Sequence, residues 1–145
     1  MCSSDLSGEY AALIASPPVP FLLHARGYRT LTELSEHFPG TASHGLIARV
    51  ETITERRPVV AAMVRAYAAG VRALKSDRAA ALAFIARRFD LDATLAGRCY
   101  DLMRERWTAD LSMRSLATEC EFHARNAGVA AIAPQSISDA SFLPA

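Results

Sequence analysis

The residues in this chain that come nearest to doing chemistry are suited to holding a small molecule rather than to transforming one. Ser16 follows the apolar run Ala11-Ala12-Leu13-Ile14-Ala15 and precedes Pro17-Pro18. Its hydroxyl both donates and accepts hydrogen bonds, and two neighbouring prolines stiffen the loop, which lowers the entropy lost when a ligand is bound. The same three residues also suit an ordinary turn out of an extended segment, where Ser and Pro are favoured on local grounds. His44-Gly45 forms a second pair, since glycine lets a ligand approach the backbone closely and the imidazole supplies a donor or an acceptor. A lone loop histidine is otherwise simply solvated. Thr41 and Arg49 flank this pair and rank below it as ligand contacts.

Patterns for catalysis are missing from the sequence. It contains no Gly-x-Ser-x-Gly, no phosphate loop and no HExxH. Beyond Cys2, the cysteines are Cys99 and Cys120, without a CxxC or a Cys/His ligand spacing. Cys99 recurs at helical spacing with Leu95 and Leu102, and Cys120 with Leu116 and Ala124, so both read as small core residues. His24 and His37 read as surface positions, while His123 lies among polar neighbours. Acidic residues sit mainly at helix starts or beside arginines, where capping and solubility account for them. Tyr67 and Trp107 fall on helix stripes and are expected to pack in a core. The expectation is a chain with no catalytic residue, no metal ligand and no cofactor.

Charge and hydropathy narrow the partners. With 16 basic and 15 acidic residues interspersed over 145, the formal charge of +1 offers no footprint for nucleic acid or anionic lipid. Hydrophobic residues make up 51% of the chain. Even so, Arg or Asp interrupts every apolar stretch before the roughly 20 residues of a membrane span, so no direct membrane insertion is expected. A secretory leader is also missing, but Met1 to Leu6 joins abruptly onto what reads as mid-protein sequence. Its Cys-Ser-Ser-Asp-Leu matches a translated sequencing-library adapter, so residues 1–6 are expected to be a non-native leader and residues 7–145 the unit of interest.

The elements that must position these residues fall into two halves. Ala11 to Ala15 predicts a short buried strand ended by the proline loop, Phe21 to Ala25 a short helix stopped by Gly27, and Tyr28 to Leu34 an extended segment. His37-Phe38-Pro39-Gly40 reads as a loop and Gly45 to Val50 as a second buried strand. Four amphipathic helices follow. Pro58 opens the first, with a stripe of Val60, Met63, Val64, Tyr67, Val71 and Leu74. Asp77, Asp92 and Ser112 are placed to cap the others, and Gly128 to stop the last. The third stripe runs through Leu95 and Cys99 towards Trp107. The chain beyond Gly128 reads as apolar and loop-like.

The order of these pieces resembles the C-terminal portion of the nitrate, sulfonate, taurine and thiamine-precursor binding proteins of ABC importers. The matching strings are Ser7 to Ala15, then Ser16-Pro17-Pro18, Ala25-Arg26-Gly27-Tyr28-Arg29, Gly45-Leu46-Ile47-Ala48, Ile53 to Val60, and Ser141-Phe142-Leu143 near the end. Each string is short, and their joint order carries the resemblance. Where such proteins have Asp in a Gly-acidic-Asp-Ala string this chain has Tyr10, which leaves the subfamily open.

That resemblance implies an α/β fold, the C-terminal part of a type II periplasmic-binding-protein fold in which short strands precede the four helices. It also implies a solute-binding component that captures a small organic or anionic solute between two lobes, docks on a membrane permease and works in the periplasm or another extracytoplasmic space. Ser16, Pro17, Pro18, His44 and Gly45 would contact the solute. The first lobe would lie outside this chain, leaving exposed edges that make the isolated chain poorly soluble or molten. Enzymes on the same scaffold, of the thiamine-pyrimidine synthase or phthalate-type decarboxylase kind, are the alternative. A small helical interaction domain would need a basic recognition helix, which the balanced charge does not supply.

Overall fold

Where apolar residues recur every three or four positions, this chain is helical, and the longest such stretch builds its longest helix. The computed structural model describes residues 11–37, 40 and 44–143. Among them are the helices α1 (Val19–His24), α2 (Leu34–His37), α3 (Val50–Glu55), α4 (Arg57–Ser76), α5 (Arg78–Phe89), α6 (Ala93–Met103) and α7 (Met113–Ala127). A tail follows, with short 3-10 turns at Pro134–Ser136 and Ala140–Phe142.

Side chains chosen for their reach to the backbone set the ends of the long helices. Asp77 accepts from the Ala80 N–H at 2.9 Å, Asp92 from the Leu95 N–H at 2.8 Å, and Ser112 Oγ from the Ser115 N–H at 3.1 Å. Each bond satisfies a donor that the first helical turn leaves open, which is typically worth ~1 kcal/mol. Helix α7 stops at Gly128, whose φ of +67° is cheap only without a Cβ, and the Val129 N–H closes the turn on the Ala124 carbonyl at 3.0 Å. Helix α5 ends in the same way on Asp90 at φ +53°, Asp being one of the few residue types that tolerate this conformation.

The core lies between α5 and α6. Ala81, Ile85, Leu91, Ala96, Cys99 and Tyr100 are buried there, and the small Ala81 and Ala96 allow close approach of the two helices. Phe21 and Leu22 of α1, Leu74 of α4 and Trp107 pack against this cluster. Tyr100, at 1% exposure, meets Trp107 edge-on with ring centroids 5.6 Å apart. Two arginines tie the layers together: Arg98 lies 4.5 Å over the Phe21 ring, and Arg78 pairs with Asp101 at 3.1 Å while lying over Tyr100.

The expected α/β architecture does not hold. No strand or sheet is present among the described residues. The run Ala11 to Ala15 is irregular, residues 44–49 are irregular, and Val50, expected in the second strand, begins α3. Neither run is buried: Ile14 is 83% and Ile47 97% exposed. The physical reason is that a five-residue apolar run has no local means of satisfying its backbone, so it becomes a strand only when another strand supplies a ladder. Neither run meets such a partner among the described residues. A type II periplasmic-binding-protein fold with short strands is thus not the architecture of the described chain.

Candidate functional site

The Ser16-Pro17-Pro18 segment is a tight corner leading into α1. The Ser16 carbonyl accepts from the Val19 N–H at 3.0 Å across a cis Pro17–Pro18 peptide, and the Pro18 carbonyl accepts from the Phe21 N–H at 3.1 Å. Because Phe21 and Leu22 anchor α1 on the core, the corner is held against α5 and α6. Pro17 and Pro18 thereby wall a depression of about 130 Å³ whose other sides are Ile85, Phe89, Cys99, Met103 and Trp107. Ser16, next to that wall, is exposed.

This depression is apolar and small. Ligand pockets usually enclose about 300–1,000 Å³. The corner therefore has room for part of an organic solute, not for the whole. At Cys99 in its wall, burial pushes the thiol above the ordinary range, against the opposing pull of Arg98, which disfavours the thiolate.

His44 and Gly45 are not brought to this corner. Both are exposed, and neither lines the depression. Nothing at Gly45 requires glycine, since a Cβ there would meet open space and its φ lies outside the left-handed region. Arg49 precedes α3 and pairs with Glu51 at 3.3 Å, with both side chains exposed. Thr41, Tyr10 and the leader at residues 1–6 lie outside the described residues.

A larger groove, not anticipated from the sequence, runs between α7 and the tail. It has about 340 Å³ and is lined almost wholly by apolar atoms, among them Leu116, Cys120 and Ala124 of α7 and Ile132 and Ile137 of the tail. Glu119 and His123, 3.5 Å apart, stand at its side. The available signal was the apolar run Val129 to Ala133, whose alanines and β-branched residues suit a packing partner as well as a loop.

The second feature missed from sequence is a cluster around Arg57 at the start of α4. Its guanidinium donates to Ser141 Oγ at 2.7 Å, lies 3.9 Å from the Asp139 carboxylate, and stacks 4.2 Å from the centre of the Phe142 ring. Asp139 in turn accepts from the Ser141 backbone N–H at 2.9 Å and from its hydroxyl.

No group of three or more His, Cys, Asp or Glu placed to hold a metal ion occurs among the described residues. No helix there is long and apolar enough to cross a membrane. Comparison with family models, with curated proteins and with solved structures returns no match, so the reading of this surface rests on its own geometry and on the sequence.

Proposed function

We propose that this chain belongs to a two-lobed solute-binding component of an ABC importer, which holds a small organic or anionic solute without transforming it. The observation that carries this reading is the Ser16-Pro17-Pro18 corner: an exposed hydroxyl beside a rigid apolar wall that is too small to enclose a solute alone. The order of sequence strings from Ser7 to Leu143 supports it further. So does the exposure of Leu13 and Ile14, which immediately precede the corner in the chain.

In this mechanism Ser16 hydrogen-bonds the polar end of the solute while Pro17 and Pro18 contact its apolar part. The corner is pre-formed, so little ordering is required on binding. Residues outside this chain complete the cleft, and His44 and Gly45 reach the solute only on closure. Solute binds the closed form better and thereby shifts the population towards it, and the closed form docks on the permease. The setting is periplasmic or otherwise extracytoplasmic.

A thermal-shift screen of the full-length protein tests this, using a panel of sulfonates, nitrate, pyrimidines and aromatic acids. One class of solute should raise the melting temperature in proportion to the logarithm of its concentration. Ser16→Ala should weaken that effect by roughly 3- to 10-fold in affinity, the value of one hydrogen bond. A flat response across the panel would remove the reading.

A further inference from the structure

The tail connects two parts of the molecule that otherwise meet little. The extensive pairings among the described elements are α3 with α4, α4 with α5 and α5 with α6, whereas α7 pairs with the first tail turn and α4 with the second. None of the α7 residues belongs to the α5–α6 core cluster. Apart from the connection through residues 104–112, where Tyr67 of α4 donates to the Thr108 carbonyl, helix α7 meets the body through the tail, and the tail is held to the body at Arg57.

We propose that the tail is a strap latched by Arg57, and that opening the latch frees α7 and bares the apolar groove beneath the strap. Three different interactions converge on one guanidinium: the 2.7 Å hydrogen bond to Ser141, the pairing with Asp139 and the stacking on Phe142. Each is weak at a solvent-exposed site, and the Arg57 side chain is 54% exposed. Acting together they hold the strap closed, yet they remain light enough to open without unfolding the core. The near end of the strap has its own weaker hold on α7, through the Ser138 hydroxyl facing Met113 Sδ at 3.8 Å. Ile132 and Ile137 of the strap share the groove with Cys120 of α7, which is only 9% exposed.

Cys120 is the natural reporter, and Cys99, buried in the separate α5–α6 core, is the internal control. The whole chain is treated with a thiol reagent and each cysteine followed separately by peptide mass spectrometry. Arg57→Ala should speed labelling of Cys120 by roughly tenfold while Cys99 stays at its original rate, and Arg57→Lys should fall between. Ser141→Ala, which removes the hydroxyl that accepts from Arg57 and donates to Asp139, should give a rise of roughly threefold and serves if Arg57→Ala does not fold. An unchanged Cys120 rate in the variants that fold, or a rise shared equally by Cys99, would overturn the proposal.

Discussion

Arg57 and Ser141 are 84 positions apart in the chain, and their side chains meet at 2.7 Å. Through that bond the start of the longest helix holds the end of the chain. They lie in the separate strings Ile53 to Val60 and Ser141-Phe142-Leu143, and nothing in either string shows that they touch.

The latch should loosen only in strong acid. Hydrogen bonds from the Ser141 hydroxyl and then its backbone N–H hold the Asp139 carboxyl below the ordinary carboxylate range, with a further contribution from the Arg57 charge. Arg57 from α4 and Ser141 from the tail are the groups facing it. A depressed value means that the contribution is fully present above the ordinary pKa of about 3.9 and is lost as pH falls through the lower native one. Hydrogen exchange of the tail, followed from pH 6 downwards with correction for intrinsic rates, should show protection falling there. Asp139→Asn should remove that dependence.

The α5–α6 core should tolerate neither loss nor gain of volume. Ile85 is 5% and Ala96 0% exposed. Ile85→Ala should cost about 2–5 kcal/mol and Ala96→Leu about 1–3 kcal/mol, read from urea denaturation. Val60→Ala, on a half-buried face of α4, should cost less than Ile85→Ala.

Helix ends should respond according to their local chemistry. Asp92→Ala removes the acceptor for the Leu95 N–H and should cost about 0.5–2 kcal/mol. Gly128→Ala places a Cβ at φ +67° in open space, so its cost should come from backbone strain alone, roughly 1 kcal/mol. Thermal melts of the two variants, fitted alongside the parent, provide the check.

The exposed apolar segments should govern solution behaviour without governing stability. Ile14→Ser combined with Ile47→Ser should reduce binding of an apolar dye and reduce self-association, while shifting stability by no more than about 0.5 kcal/mol. Light scattering and dye fluorescence read the first effect and denaturation the second. A loss of several kcal/mol would show that these residues support the fold of the chain itself.

The helical half was legible because its information is local. Asp77, Asp92 and Ser112 each bond a backbone N–H three residues on, and Gly128 stops its helix within one turn. The apolar stripe of α6 through Leu95 and Cys99 likewise needs no distant knowledge, although Trp107 lies beyond the end of that helix and packs on Tyr100 from the segment that follows it. Strand formation is not local. Ala11 to Ala15 and Gly45 to Val50 have the composition of strands, but composition does not supply a ladder partner, and the runs stay irregular or, from Val50, turn helical. The stiff corner at Pro17 and Pro18 was legible because it is written in adjacent residues, and in the fold these prolines wall an apolar depression. His44-Gly45 was chosen on residue type alone, and the groove and the Arg57 cluster depend on contacts across the chain that no spacing reveals.

Isothermal titration calorimetry of the full-length protein, followed by recovery of the ligand, tests the central claim most directly. The account predicts saturable binding of one solute per protein, weakened by Ser16→Ala, with the solute recovered chemically unchanged. Binding indifferent to Ser16, or a solute recovered as a different compound, would contradict it.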